Sequence, residues 1–133
     1  MNYFENACLL TGRGLLGLYF ILPALSKITN FERMSAYMAE HNVPLISVLL
    51  VLTIIIQLAA GSALIVGFQG KWAAFVLAGL TLAISLFMHN FWDYPEGTEK
   101  AHELQNFVKN MAVMAGLLVV TAIGTGRFSL SRA

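Results

Sequence analysis

Polar side chains suited to holding a ligand stand at the ends of long apolar stretches in this sequence. Asn106, Lys109 and Asn110 fall at i, i+3 and i+4, which places them on one face of a helix. His89 is the only ionisable residue in the stretch 72–92, whose length of about 21 residues is enough to cross a bilayer as a helix. An ionisable group at membrane depth is costly unless it has a partner. These residues therefore favour a shared polar pocket over isolated side chains.

Three more residues belong to the same candidate pocket. Lys27 ends the first apolar stretch, Gln57 is the one strongly polar side chain of the second, and Trp92 closely follows His89. Each also has a purely structural interpretation, because lysines extend to the membrane surface, tryptophans gather at the interface and amides hydrogen-bond neighbouring helices. The predicted ligand-binding set is Lys27, Gln57, His89, Trp92, Asn106, Lys109 and Asn110.

The composition is that of a membrane protein. Of the 133 residues, 58% are hydrophobic and 11% are charged. Soluble domains carry about 25% charged residues. Four spans of about 20 residues would use most of the chain, so we expect a single transmembrane domain over residues 1–133. The formal net charge of +1 lacks the basic excess that nucleic-acid binding requires.

The apolar stretches predict an all-α integral membrane protein, a four-helix antiparallel bundle. We place the spans at about residues 7–26, 45–68, 72–92 and 107–124. Two polar segments, 31–40 and 98–106, are expected to form short interfacial helices, the second of which runs directly into the fourth span. Pro23 is expected to kink the first span. Close helix contacts are predicted at small residues, namely Gly12, Gly14, Gly17, Ala59 with Ala63, and Ala112 with Gly116.

Four spans put both termini and the turn at 69–71 on one side of the membrane, which we call side A; the opposite side is side B. Lys27, His89 and the start of the fourth span all reach side B, with Gln57 below them, so the candidate pocket lies there. Outside the spans, side A carries Lys71, Arg127 and Arg132, and side B carries Arg33 and Lys100. The positive-inside rule then places side A, with both termini, in the cytoplasm.

Three other features indicate no chemistry of their own. Arg13 is predicted to be structural, facing side A or the carbonyl groups of a neighbouring helix. Cys8 is the only cysteine, which excludes an intramolecular disulfide. Glu99 and His102 have the Glu-x-x-His spacing of carboxylate-bridged metal bundles, but such sites need two copies inside the core. We therefore predict no metal site.

The order and spacing of several short motifs resemble the DoxX family of four-span bacterial membrane proteins along nearly the whole chain. The motifs are Arg13, Ser26-Lys27, Tyr37-Met38, Val43-Pro44, Gly61, Gly67, His89 with Phe91-Trp92, and Phe107-Val108-Lys109-Asn110. The resemblance implies a helical bundle in the inner membrane. For some relatives it also implies a link to thiosulfate–quinone oxidoreduction, or to complexes that defend against oxidative and thiol stress. Relatives commonly carry a glutamate where this chain has Gln57, which cannot titrate.

Two functions are compatible with this sequence. In the first, the protein is a small subunit or accessory of a quinone-linked or stress-response redox complex, and a quinone headgroup occupies the side B pocket. His89 would then donate a proton, and Lys27 and Lys109 would stabilise a reduced oxyanion. In the alternative, the protein is a non-catalytic membrane module that binds a lipid or recruits a partner complex. Self-association into a homo-oligomer is compatible with both functions.

Overall fold

The computed structural model describes residues 1–131, and every regular element in that range is helical. The predicted all-α class is therefore confirmed. Four of the helices are long and apolar enough to cross a membrane. The elements are α1 (Tyr3–Thr29), α2 (Phe31–Glu40), α3 (Ile46–Val66), α4 (Gly70–Met88), a short 3₁₀ turn (Phe91–Asp93) and α5 (Thr98–Ile123).

The ends of α1 lie outside the predicted span because local hydrogen bonds extend the helix. At the start, Asn2 Oδ1 accepts from the backbone N–H of Glu5 at 2.8 Å, and the Glu5 carboxylate accepts from the N–H of Asn2. This reciprocal capping box fixes the first turn. The helix then continues through Pro23 to Thr29.

The α-helix of the third predicted span ends before Trp92, although the apolar candidate span continues through the 3₁₀ turn to Asp93. We placed its end at Trp92, but α4 ends at Met88 and His89 is its C-cap, with its N–H bonded to the Ser85 carbonyl oxygen at 3.2 Å. The side chain of Asn90 bonds instead to His41 at 3.1 Å and to Asp93 at 3.0 Å. These polar contacts compete with helix continuation, so the residues after His89 turn away from the α4 axis.

Both predicted interfacial segments are helical, but only the first forms a separate helix. The helix α2 covers the range predicted for it, and its Met38 packs with Leu50 of α3 and Met88 of α4 in an apolar cluster at side B. The segment 98–106 is helical and runs directly into the fourth span as predicted, because it is the first part of the continuous helix α5. Its polar residues are therefore held rigidly in line with the fourth span.

Helices α1 and α3 approach each other at two glycines. A Cβ atom on Gly17 would lie 2.7 Å from the carbonyl oxygen of Gly61, and one on Gly61 would lie 3.1 Å from that of Gly17. Arg13 of α1 contacts the Leu64 carbonyl group of α3, one turn along from the contact between Gly17 and Gly61. Higher residue numbers on α1 thus face lower residue numbers on α3, so the two helices are antiparallel. Close backbone approach of this kind is what small residues permit in membranes.

Most of the other predicted small-residue contacts were wrong. A Cβ atom on Gly12 or Gly14 would meet no atom within 4 Å, and Ala59 is exposed. A Cβ atom on Gly116 would be in ordinary contact with Leu16 at 3.8 Å. A small residue favours close packing only where the helix rotation turns it toward a partner.

The four long helices form two closely packed pairs. Helix α1 packs mainly on α3, and α4 packs mainly on α5. The pairs meet through a core to which each helix contributes, with Phe20, Leu64, Leu77 and Leu117 all buried. A tight turn after α3, with Gly67 at φ 76°, joins the pairs at side A and makes α3 and α4 antiparallel neighbours.

Side A is closed by the chain's own C-terminal segment, residues 125–131. Arg13, only 1% exposed, donates to the carbonyl oxygens of Leu64 (3.0 Å), Ile65 (3.3 Å), Thr125 (2.6 Å) and Phe128. The guanidinium thus links the end of α3 to this segment, and no carboxylate within residues 1–131 forms a salt bridge with it. Arg132, counted among the side A cations, lies outside the described residues.

Candidate functional site

A polar cavity of about 260 Å³ lies between the two helix pairs, toward side B. Six of the seven residues of the predicted ligand-binding set line it, and all four long helices contribute to its wall. The lining residues are Tyr19, Phe20, Pro23, Lys27, Gln57, Thr81, Ile84, His89, Asn106, Lys109 and Asn110.

Helix α1 supplies one wall through residues spaced four apart. Tyr19, Pro23 and Lys27 follow one another at i, i+4 and i+8, which keeps them on nearly one helix face. From Tyr19 to Lys27 the helix rises by about 12 Å, so this wall runs from the membrane interior toward side B. Lys27 is half-buried at the outer end of the wall.

Helix α5 supplies the opposite wall and is tied to α1 by a hydrogen bond. The Tyr19 hydroxyl donates to Asn110 Oδ1 at 2.7 Å, and Asn110 is only 7% exposed. The Lys109 ammonium lies 5.8 Å from the centre of the Tyr19 ring, in the range of a cation–π contact. Tyr19 therefore positions both an amide and a cation of α5.

His89 is oriented by a carboxylate that lies behind it. Its Nδ1 is 3.2 Å from Glu103 Oε2, and both side chains are largely buried, at 19% and 11% exposed. The Asn106 amide donates to the other Glu103 oxygen at 3.4 Å. A histidine held by a carboxylate through one ring nitrogen presents the other nitrogen in a fixed direction.

Gln57 forms the deep end of the cavity and lacks a partner. It is 4% exposed, and within residues 1–131 its Oε1 accepts no hydrogen bond. The neighbouring hydroxyl of Thr81 already donates to the Leu77 carbonyl oxygen at 2.7 Å, so it cannot serve Gln57 as a donor. A buried acceptor without a donor is uncommon in folded proteins.

The charges around the cavity are unbalanced. Lys27 and Lys109 both line it, none of the lining residues is acidic, and neither lysine forms a salt bridge within residues 1–131. The Glu103 carboxylate lies behind His89 and already bonds to His89 and Asn106. The cavity therefore presents cations and donors to whatever occupies it.

Helix α2 lies across side B of the bundle. Its Tyr37 side chain stays neutral. Burial raises the pKa of Tyr37 to about 12, and the negative charge of Glu103 adds to the shift. The Tyr37 ring packs on His41 with centroids 4.8 Å apart, and His41 contacts Asn90 after α4. These contacts fasten α2 across side B beside the cavity.

Two apolar spaces lie next to the polar cavity. The first, of about 160 Å³, shares the wall residues Lys27, Ile84 and His89 with it. The second, of about 250 Å³, is a groove between α3 and α4 that shares Met38, Thr53, Ile84 and Met88 with the first space. Cations and apolar side chains thus line three adjacent spaces with common wall residues.

Trp92 lies outside the cavity, and three polar residues of the site were not predicted, namely Tyr19, Thr81 and Glu103. Trp92 is 49% exposed and packs edge-on against Phe107, outside the cavity, because the chain has left the helix at His89. Tyr19 was missed although its i, i+4, i+8 spacing with Lys27 was available. Glu103 was missed although it precedes Asn106 by one helical turn.

Cys8 and the histidines show no sign of a second reactive centre. Cys8 is exposed on α1 near side A, at the other end of the helix from Lys27. Within residues 1–131, no three His, Cys, Asp or Glu side chains lie close enough together to hold a metal ion. The cavity is therefore the candidate functional site.

Comparison with known proteins finds relatives of nearly the same length. The chain is 29% identical to "Inner membrane protein YqjF" of Escherichia coli (strain K12) over 132 residues, covering 99% of this chain and 95% of the relative. It is 26% identical to "Inner membrane protein YphA" of the same organism over 137 residues, covering 99% and 97%. No solved structure matches the chain significantly.

These relatives confirm the predicted location, and the protein is a multi-pass protein of the bacterial inner membrane. The resemblance to the DoxX family was wrong, since the family model that matches is that of the SURF4 family, over residues 6–133. The short motifs behind that resemblance are polar and small residues that many four-span proteins need. The redox role rested on this resemblance and loses that support. The chain belongs to the SURF4 family.

Proposed function

We propose that the protein is a membrane binding module whose four long helices span the inner membrane as a single-domain antiparallel bundle and hold the polar headgroup of a membrane amphiphile. The observation that carries the proposal is the lining of the cavity: Lys27, Lys109 and His89 with amide groups and no acid. Such a lining fits an anionic or acceptor-rich group, since charge-assisted hydrogen bonds to lysine are the strong ones.

The ligand is expected to come from the bilayer. The polar cavity lies next to apolar spaces and shares Lys27 and His89 with the nearer one, so a molecule with a polar head and an apolar body matches the arrangement. Small-molecule sites are typically apolar with a few placed polar groups, which is the composition here. Binding alone accounts for these features, and recruitment of a partner protein would be a consequence of it.

A quinone-linked role is the second candidate, and the His89–Glu103 pair is the observation that favours it. An imidazole oriented by a carboxylate at 3.2 Å is suited to pass a proton to a quinone oxygen. The same pair also holds a histidine as a simple donor to an anion. The identity of the bound molecule separates the two functions.

The experiment is to purify the full chain from bacterial membranes and identify by mass spectrometry the small molecules that it retains. Lys109→Gln is compared with Lys100→Gln, a matched control on the same helix whose ammonium pairs with the exposed Glu96 and lies outside the cavity. Losing a charged hydrogen bond of about 1.5–3 kcal/mol should weaken retention by about tenfold or more in Lys109→Gln. Lys100→Gln should retain the ligand as the unmodified protein does.

The outcomes are distinct. An anionic lipid retained by the unmodified protein and lost from Lys109→Gln supports the binding module. A quinone retained in the same way supports the redox candidate instead. Equal retention of every molecule in both variants would show that the cavity does not bind the retained molecules.

A further inference from the structure

The unpartnered Gln57 oxygen specifies one end of the ligand. Gln57 is 4% exposed and lines the deep end of the cavity, and its Oε1 has no donor within residues 1–131. A buried acceptor in this state is satisfied by a ligand that carries a hydroxyl or amine hydrogen. The ligand therefore needs a hydrogen-bond donor as well as the anion that the lysines favour.

The two requirements lie at different depths of the same cavity. Lys27 is at the outer end of the α1 wall, Tyr19 is about 12 Å deeper along the helix with Asn110, and the Lys109 ammonium lies 5.8 Å from the Tyr19 ring, so the space between the two lysines reaches from the outer to the inner part. Gln57 and Thr81 complete the inner part. A headgroup with a phosphate at one end and a hydroxyl at the other would meet both requirements within that length.

The apolar groove specifies the rest of the ligand. Its lining is almost wholly apolar, and on α3 its Thr53 lies one turn from Gln57. The groove lies between α3 and α4, which belong to different helix pairs and pack less extensively on each other than the helices within each pair do. An acyl chain can lie there and remain continuous with a headgroup held by Lys27.

We propose that the ligand is an anionic phospholipid with a hydroxyl-bearing headgroup. Its phosphate lies between Lys27 and Lys109, its hydroxyl donates to Gln57, and its acyl chain lies in the groove between α3 and α4. The inference rests on the proposed function and adds the ligand class and the side from which the ligand enters.

The test compares two anionic lipids that differ in the hydroxyl group. The purified full chain is titrated with phosphatidylglycerol or phosphatidylmethanol of the same acyl chains, and lipid binding is measured by native mass spectrometry. The unmodified protein should bind phosphatidylglycerol about tenfold more tightly, since the lipid without a hydroxyl leaves the Gln57 oxygen unpaired. Gln57→Leu should fold, because it removes an unpaired acceptor, and should bind both lipids equally.

A second pair of variants tests the groove. Ala83 lines the groove and is exposed on α4, so Ala83→Trp should fill it without disturbing the core. Leu82→Trp is the matched control, because Leu82 is also exposed on α4 but does not line the groove. Ala83→Trp should weaken phosphatidylglycerol binding by about tenfold, and Leu82→Trp should leave it unchanged.

The possible failures are separable. If neither anionic lipid binds the unmodified protein more tightly than phosphatidylcholine does, the proposed function itself fails. If both anionic lipids bind equally tightly, or Gln57→Leu keeps the preference, the hydroxyl assignment is overturned while the anion site stands. If Ala83→Trp binds as Leu82→Trp does, the acyl chain does not lie in the groove.

Discussion

At the residue scale, the structure separates the buried Arg13 from two less buried cations that line the cavity, since Lys27 is half-buried and Lys109 is exposed. Arg13 has its donors occupied by backbone carbonyl oxygens, whereas Lys27 and Lys109 face a cavity without an acid. Fully satisfied polar groups stabilise a fold, and unsatisfied ones mark a binding function or a cost. Arg13 therefore belongs to the architecture, and the two lysines belong to the candidate site.

The role of Arg13 leads to a stability prediction. Arg13→Met would leave several buried carbonyl oxygens at the end of α3 and in residues 125–131 without a donor, so we expect a loss of about 3 kcal/mol in the free energy of unfolding. Unfolding in mixed micelles measures this change. The segment 125–131 should also become more susceptible to proteolysis in this variant.

Arg127→Met is the matched control. Arg127 is exposed and contributes its backbone N–H, not its side chain, to the bond with Asn6 Oδ1 at 2.7 Å. Its substitution should change the free energy of unfolding by no more than about 0.5 kcal/mol. Equal destabilisation of the two variants would show that Arg13 does not hold side A together.

Residue spacing predicted much of the candidate site, and the limits have physical causes. The i, i+3, i+4 pattern of Asn106, Lys109 and Asn110 was sufficient because α5 is a regular helix there. Tyr19 was overlooked because an aromatic residue inside an apolar span is normally explained by packing, and the sequence does not show its Asn110 partner. Glu103 was overlooked because a carboxylate in a polar segment is normally solvated, whereas here it is 8% exposed and bound to His89.

At the element scale, hydropathy located the four long helices but not their ends or contact faces. The α4 helix ends at Met88 through a backbone cap and the Asn90 side chain, features to which hydropathy is insensitive. The contact between α1 and α3 depends on Gly17 and Gly61, while Gly12 and Gly14 face open space. Helix rotation decides which glycine matters, and it follows from packing against all neighbours.

The α1–α3 contact predicts that two glycine substitutions on α1 change the free energy of unfolding in opposite directions. Gly17→Ala would place a methyl group 2.7 Å from the Gly61 carbonyl oxygen, so the helices must separate, and we expect a loss of about 1–3 kcal/mol in the free energy of unfolding. Gly14→Ala has no atom within 4 Å of the added methyl group and should stabilise α1 by up to about 1 kcal/mol. Unfolding in mixed micelles compares the two, and similar values would contradict the proposed close approach.

At the scale of the whole molecule, the two ends of the bundle differ in design. Side A is sealed by residues 125–131 through Arg13 and Asn6, whereas side B holds the polar cavity beneath α2. Because the cavity lies toward side B, a ligand would be held near one face of the membrane. The direction in which the bundle faces then decides which compartment the cavity serves.

The orientation is predicted from the charged residues outside the spans. Lys71, Arg127 and Arg132 on side A outnumber Arg33 and Lys100 on side B, so both termini should be cytoplasmic. A fluorescent protein fused to the C-terminus, which matures in the cytoplasm, should be bright, and a phosphatase active only in the periplasm should be inactive there. The reverse pattern would place the cavity toward the cytoplasm.

The most direct test of the account is an experimental structure of the protein in a bilayer that contains phosphatidylglycerol. The account predicts a bound molecule in the polar cavity, with acceptor atoms within hydrogen-bond distance of Lys27 and Lys109 and a donor at Gln57 Oε1. A cavity that holds water alone, with Lys109 and His89 turned outward to lipid, would contradict it.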